Sequence, residues 1–303
     1  MPPADPVTRR LGALAGLPVR ELHPAGAQHG WRHYRATLTD GREIFAKLAP
    51  PKTPSTLDIT STAGDPSPVE AEARGLRWLA EPGAVPVPEV LGWDDQALVL
   101  PWLPPSASPA PSAATAFGHG LARLHAVGAE AFGAPWPGFI ASLPLDNTPW
   151  AAADGWPHWY AERRVRPYLR RAADDGTLSP GDVTLVEQVL SRITELAGPD
   201  EPPSRIHGDC WSGNVLWSGG RGWLIDPAAH GGHRETDLAM LALFGAPHLA
   251  DIVRGYDQAV PLADGWRARI PLHQLHPLLV HVVLFGAGYR EPALAAARDA
   301  LAA

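Results

Sequence analysis

Apolar and polar positions alternate from Tyr34: Tyr34, Ala36 and Leu38, a turn at Thr39-Asp40-Gly41, then Ile44, Ala46 and Leu48. A period of two on both sides of a turn predicts a β-hairpin with one buried face, leaving Phe45 and Lys47 on the opposite face of its second strand. Residues 49–68 are rich in Pro, Ser, Thr and Asp and read as a surface loop. The period then changes to that of a helix. Ser67 can cap it, Pro68 suits the first helical position, and Glu70 would complete a capping box. Val69, Ala73, Leu76 and Ala80 trace its apolar face, Glu72 falls on that face, and Glu70, Arg74 and Arg77 lie on the polar side. Val85–Val90 and a further strand, Ala97–Leu100, lead to Pro101-Trp102-Leu103-Pro104-Pro105, read as a hinge between lobes. Beyond it the pattern is helical, with Phe117, Leu121 and Leu124 on one stretch and Val183, Val186, Leu190, Ile193 and Ala197 on another.

An inward carboxylate at Glu72 needs a cationic partner, because an unpaired buried charge is costly. Lys47 is the natural one. On pattern alone, a solvated strand lysine is the favoured reading of Lys47; the chemistry further along the chain reverses that. The run Arg205-Ile206-His207-Gly208-Asp209-Cys210-Trp211-Ser212-Gly213-Asn214-Val215 places a carboxylate five residues before a carboxamide. That is the spacing of catalytic loops in phosphoryl-transfer enzymes, where the Asp receives a hydroxyl proton and the Asn binds Mg²⁺. Val215-Leu216-Trp217 and Trp223-Leu224-Ile225, joined by residues 218–222, read as a hairpin that folds Asp226 back toward Asn214 as a second metal ligand.

Composition narrows the partners. Lys and Arg total 25 against 32 Asp and Glu, a net charge of −7, so there is no basic footprint and no nucleic-acid partner is expected. A single cysteine, Cys210, excludes an intramolecular disulfide and fits a reducing compartment. The segment Met1–Pro6 has no apolar signal core and no uninterrupted apolar run reaches membrane-spanning length. A cytoplasmic protein without a membrane partner is therefore expected, with a monomer favoured. The 34 prolines, about twice ordinary usage, are spread among loops, and no internal repeat is visible.

His207, Asp209, Cys210, His230 and His233 are all potential zinc ligands, but neighbours such as Asp209 and Cys210 point apart on extended backbone. A Cys210–His207 nucleophile pair lacks an orienting group and an oxyanion hole. Cys210 reads most simply as a small apolar packer and His207 as a brace of the loop. His119, His125 and His158 receive no role. Trp150, Trp156 and Trp159 read as core, with sugar stacking as the alternative.

The stretch from Arg205 through Asp226, continued by Gly232-His233-Arg234-Glu235-Thr236-Asp237-Leu238-Ala239-Met240 and Leu243-Phe244-Gly245, closely resembles the fructosamine (ketosamine) kinase family. That family lies within the aminoglycoside-phosphotransferase-like and protein-kinase-like group. The resemblance spans roughly residues 20 to 290 and is strongest from 205 to 245. It implies an α+β, bilobal protein-kinase-like fold, with a β-rich N-lobe over 1–103 and a mainly helical C-lobe over 104–303. It also implies ATP and Mg²⁺, and as acceptor a ketosamine such as fructosyl- or ribulosyl-lysine, free or on proteins, phosphorylated at the sugar 3-hydroxyl in support of deglycation.

Carried over residue by residue, Asp209 is the catalytic carboxylate and Asn214 and Asp226 hold the metal. Lys47 steadies the α- and β-phosphates and Glu72 holds Lys47. The Pro101 carbonyl and Leu103 amide meet the adenine. Trp211 faces the sugar, with core packing as its alternative, and His281, on a segment similar to the family's last helix, is a second acceptor-site candidate. Asp237 is expected to brace backbone amides near the catalytic loop. The phosphate loop departs from the family: Pro24–Gly30 has glycines only at Gly26 and Gly30, and no cysteine, so no disulfide regulation is carried over. An aminoglycoside, choline or homoserine kinase, or a nucleotide-binding pseudokinase, stays open. A protein kinase fits least, since Ile225-Asp226-Pro227 stands where Asp-Phe-Gly is expected.

Overall fold

The computed structural model describes residues 5–28, 30–50, 67–106, 108–151, 153 and 155–303. A helix, α1 (Pro6–Ala15), precedes strands β1 (Val19–Gln28), β2 (Trp31–Leu38) and β3 (Glu43–Leu48). Helix α2 (Pro68–Ala80) follows, then β4 (Gly92–Trp93) and β5 (Ala97–Pro101). The five strands form one antiparallel sheet in the order β1-β2-β3-β5-β4. The twofold period of β3 divides its side chains between two cores. Ile44, Ala46 and Leu48 pack with Leu11 of α1, Ala36, Leu38, Ala97 and Val99. Phe45 packs on the other face with Leu98, Leu100 and the α2 residues Val69, Ala73 and Leu76. Lys47 follows Phe45 by two residues and so also faces α2.

Local details depart from the sequence reading. Neither α1 nor β1 is visible in the hydrophobic pattern: α1 buries only Leu11, and no residue of β1 is fully buried. Strand β1 is held by its backbone ladder to β2 instead. The segment read as a phosphate loop is largely the end of that strand, with Gly26 paired to His33 beside a bulge and at φ +130°; His29 lies outside the described residues. Ser67 does cap α2, accepting from the Val69 amide at 3.2 Å, but Glu70 pairs with Arg74 one turn on rather than closing a box. The expected surface loop falls mostly on 51–66, outside the described residues.

The C-terminal region is mainly helical. Helix α3 (Pro111–Ala126) is followed by the short strands β6 (Gly138–Ile140) and β7 (Leu143–Leu145). Then come α4 (Trp156–Tyr160), a π-helical turn (Ala161–Val165), α5 (Arg166–Asp174), α6 (Pro180–Ser191) and α7 (Ile193–Leu196). Strand β8 (Ser204–Ile206), a 3₁₀ turn (Ser212–Asn214), β9 (Val215–Ser218), β10 (Arg221–Leu224) and β11 (His230–Gly232) carry the motif region. The chain ends in α8 (Glu235–Leu243), α9 (Leu249–Ala259), α10 (Trp266–Phe285), a 3₁₀ turn (Gly286–Tyr289) and α11 (Arg290–Ala302).

Helices α3 and α9 cross closely because glycines meet backbone: a Cβ at Gly118 would lie 2.0 Å from the Ile252 carbonyl oxygen, and one at Gly255 2.2 Å from that of Thr115. Trp156 and Trp159 are buried in the larger core with Leu272, Leu275 and Leu279, so they pack and do not face a sugar. The helical run Trp266–Ala302 is long and apolar enough, by length and composition, to cross a membrane, but half of its most apolar window is buried inside this protein.

Candidate active site

Three local structures bring the site together. The period of β3 and the face of α2 put Lys47 and Glu72 opposite each other, with Lys47 Nζ 2.8 Å from Glu72 Oε2. Lys47 also pairs with Asp226 Oδ1 across the cleft, and its ammonium lies 4.8 Å from the centroid of the Trp31 ring. Burial alone would lower the Lys47 ammonium, but the Glu72 and Asp226 carboxylates offset this and hold it above the ordinary lysine range. Burial pushes the Glu72 carboxyl upward and the neighbouring Asp226 charge adds to this, against the pull of Lys47.

The hairpin β9–β10 turns through Gly219 and Gly220, both at positive φ, in a two-residue connection shorter than the sequence suggests. It returns the chain so that the Ile225 amide donates to the Asn214 carbonyl at 3.1 Å. Asp226 follows at φ +54°, a left-handed conformation uncommon outside glycine and a mark of functional sites. Its side chain is 48% exposed, so the carboxylate that meets Lys47 is also open to a ligand. Burial would raise this carboxyl, and Lys47 reverses the effect and lowers it.

The loop between β8 and β9 carries Asp209 and Asn214. Gly208, at φ +80°, passes so close to Ala228 that a Cβ there would lie 2.3 Å from its carbonyl oxygen. Asn214 Nδ2 donates to both the backbone oxygen and Oδ2 of Asp209, each at 2.9 Å, which leaves its Oδ1 as the atom able to accept a cation. Burial, then the Asp226 charge, push the Asp209 carboxyl up to about 7. Cys210 points the other way, fully buried in the core around Phe117 and Leu238, with burial raising its thiol. It is neither ligand nor nucleophile.

A buried brace holds this loop. Asp237 accepts from the His207 amide at 2.7 Å, the Gly208 amide at 3.0 Å and His125 Nε2 at 3.1 Å, and His125 Nδ1 meets the Tyr256 hydroxyl at 2.8 Å. Because His207 Nδ1 accepts from the Asp209 amide at 3.2 Å, its Nε2 carries the proton and donates to the Ile225 carbonyl at 2.9 Å. His207 thus ties the Asp209 loop to the strand that delivers Asp226. His125, to which the sequence reading gave no role, and Trp31 beneath Lys47 are the participants it missed. Only three-dimensional proximity reveals them.

The remaining candidates lie at the margins. Pro101 ends β5 opposite Ile44, and the Trp102 amide donates to the Glu43 carbonyl at 3.0 Å, so Leu103 follows directly after the sheet. Trp211 is half-buried, its indole lying over Gly213, where a Cβ would come within 2.3 Å of the ring. His281 lies on α10 with Nδ1 held by the Pro277 carbonyl at 2.7 Å. Among the described residues, His233, Glu235 and His273 are close enough to hold a metal, but Glu235 gives both oxygens to Arg269 at 2.9 and 2.6 Å, and His233 Nδ1 accepts from the Glu235 amide. That cluster is an ion pair packed against two imidazoles.

A strand lysine held by a helix glutamate, facing a loop Asp and Asn and a second Asp across a cleft, defines the class of kinase-like phosphotransferases. The fold is of that class: an aminoglycoside phosphotransferase solved with ADP and hygromycin B matches 97% of this chain, and 99% of its own, with a TM-score of 0.61 at 16% identity. More narrowly, the sequence profile of the fructosamine kinases matches residues 60–303, and the chain belongs to the fructosamine kinase family. A probable ketoamine kinase of Synechocystis is 30% identical over 299 residues, covering 96% of this chain and 94% of that protein. The crystal structure of a candidate fructosamine-3-kinase from Thermobifida fusca shares 53% identity and a TM-score of 0.91, over 98% of this chain and 99% of its own.

Proposed function

We propose that this protein transfers the terminal phosphoryl group of ATP, with Mg²⁺, to the 3-hydroxyl of the sugar in a ketosamine such as fructosyl- or ribulosyl-lysine. The observation that carries the reading is the convergence of Lys47, Glu72, Asp209, Asn214 and Asp226 on one cleft in a chain of the fructosamine kinase family. The donor set fits Mg²⁺, a hard cation that takes oxygen ligands: Asn214 retains Oδ1 and the Asp226 carboxylate is open to the cleft. Four ionisable groups meet there, three of them carboxylates, so added positive charge is accommodated. Asn214 and Asp226 would hold the metal, whose charge would offset the negative charge of the phosphates.

The residues divide the remaining work. Asp209 accepts the proton of the acceptor hydroxyl as its oxygen bonds to the γ-phosphorus; the bond to the bridging oxygen breaks and ADP leaves. A pKa of about 7 suits a base that must hold and release a proton near neutrality. Lys47, released from Asp226 by nucleotide and kept in place by Glu72, is directed at the α- and β-phosphates. Pro101 and Leu103 meet the adenine edge, the former through its carbonyl alone since it has no N–H. Trp211 and His281 border the acceptor.

The test is ATP consumption by the purified protein on a panel of fructosyl-lysine, ribulosyl-lysine, an aminoglycoside, choline and homoserine. Turnover confined to the ketosamines is expected. Preferred turnover of any other acceptor would overturn the substrate reading, and absence of turnover on all would overturn the enzymatic one.

A further inference from the structure

The rings beside the catalytic loop form a continuous strip. Trp211 meets Phe244 edge to face with centroids 5.9 Å apart, and Phe244 meets His281 at 5.2 Å. His281 in turn meets Phe285 at 5.3 Å and Tyr289 at 4.7 Å. Core packing accounts for Tyr289, which lies against the larger core, but not for the exposure of the rings around it. Phe244 is 39% and Phe285 47% exposed, while the other four phenylalanines are buried or half-buried. Nor are these rings on loose loops. Phe244 caps the C-terminal end of α8 and Phe285 is the last residue of α10, and each is followed by a glycine at positive φ, Gly245 at +72° and Gly286 at +77°, where the chain turns away from the helix.

The strip is also electrically neutral. His281 donates Nδ1–H to the Pro277 carbonyl, so Nε2 carries a lone pair, and burial holds the ring below the ordinary histidine range. Aromatic faces and a lone-pair nitrogen attract a cation attached to an apolar stem. The chemistry of a ketosamine supplies one. Its amine sits on C1, two carbons from the 3-hydroxyl, so with that hydroxyl at Asp209 the amine must leave the site within a few ångströms, and Trp211 lies two residues from Asp209.

We propose that Trp211, Phe244, His281, Phe285 and Tyr289 form the subsite for the amine-bearing part of the acceptor, taking the protonated secondary amine and the methylene stem of a glycated lysine side chain. This rests on the ketosamine reading of the site and adds to it the basis of selection among amines. Phe285, which lies beyond His281 from the loop along the strip, meets the stem and not the sugar.

The experiment compares fructosyl-lysine with 1-amino-1-deoxyfructose, which has the same sugar and a bare ammonium, in wild type, Phe285→Ala and Phe285→Leu, with ATP and Mg²⁺ present. Phe285→Ala is expected to raise the KM for fructosyl-lysine about tenfold with kcat unchanged, the sign of lost uniform binding. The KM values for 1-amino-1-deoxyfructose and for ATP should stay within about twofold. Phe285→Leu keeps the apolar volume without the π face and should give an intermediate effect, which guards against a folding defect in the alanine variant. If wild type turns over both acceptors and the variants change neither KM, or change both equally, the subsite is overturned and the ketosamine reading stands. If wild type turns over neither, both fall. Self-association through these rings, lost in Phe285→Ala without a selective change in KM, also overturns the proposal.

Discussion

Asp237→Asn tests how the catalytic loop is held. The Asp237 side chain is 0% exposed and three donors converge on its two oxygens: the His207 amide and His125 Nε2 on Oδ2, and the Gly208 amide on Oδ1. Burial would raise this carboxyl, but the His125 and His207 contacts reverse the effect and keep it low, so it is ionised. A carboxamide has the same shape and one oxygen fewer. In its best orientation the remaining oxygen serves His207 and His125, and the new NH₂ faces the Gly208 N–H. One charge-assisted bond is then lost, worth about 1.5 to 3 kcal/mol, and a buried donor is left unpaired at a further cost of about 1 to 3 kcal/mol. The expected destabilisation is therefore about 2.5 to 6 kcal/mol, a large share of the roughly 5 to 15 kcal/mol that holds a domain folded. Urea unfolding followed by tryptophan fluorescence measures it, and kcat should fall with it as Asp209 loses its register. A loss below about 1 kcal/mol with unchanged kcat would refute the brace.

Asp209→Asn should abolish turnover while retaining Mg²⁺-ATP binding, whereas Asp226→Asn should weaken metal-dependent nucleotide binding as well. Calorimetric titration of the two variants separates the roles, and near-normal turnover in Asp209→Asn would sink the base assignment. Trp211→Ala should raise the acceptor KM roughly ten- to hundredfold, equivalent to about 1 to 3 kcal/mol of stacking and burial, with the ATP KM unchanged. A lower melting temperature with both KM values preserved would instead make Trp211 a packing residue. The raised Asp209 carboxyl also sets a pH dependence. Between about 3.9, where the unfolded chain releases this proton, and about 7, where the folded site does, the native state holds the extra proton, so this group's contribution to stability falls as pH rises. In metal-free buffer Asp209→Asn removes that loss. Its stability relative to wild type should therefore be greater at pH 8 than at pH 4, and an offset independent of pH would show that Asp209 titrates normally.

Much of the site is legible because its parts are local. The five-residue step from Asp209 to Asn214 lies within one loop, and the Gly219-Gly220 turn is a short-range signal that Asp226 returns to it. Lys47 and Glu72 each follow from a period, two on the strand and 3.6 on the helix, combined with the cost of burying a charge alone. Strand β1 left no such trace, since its residues stay exposed or half-buried and its ladder to β2 uses backbone groups that every residue carries. The proposed capping box failed for a local reason: Glu70 had a competing partner, Arg74, one turn along the same helix.

The chain's own pattern thus determined the β2–β3 hairpin, the buried face of α2 and the residues proposed to do phosphoryl-transfer chemistry, because periodicity, turn chemistry and charge burial act over a few residues. Tertiary structure alone decided which distant groups meet: His125 on Asp237 across 112 positions, Lys47 on Asp226 across 179, and Phe244 between Trp211 and His281. A buried histidine or an exposed phenylalanine has no fixed role by itself. Its partner is chosen by the way helices and sheet pack, and that packing minimises the free energy of the whole core, not of any short segment.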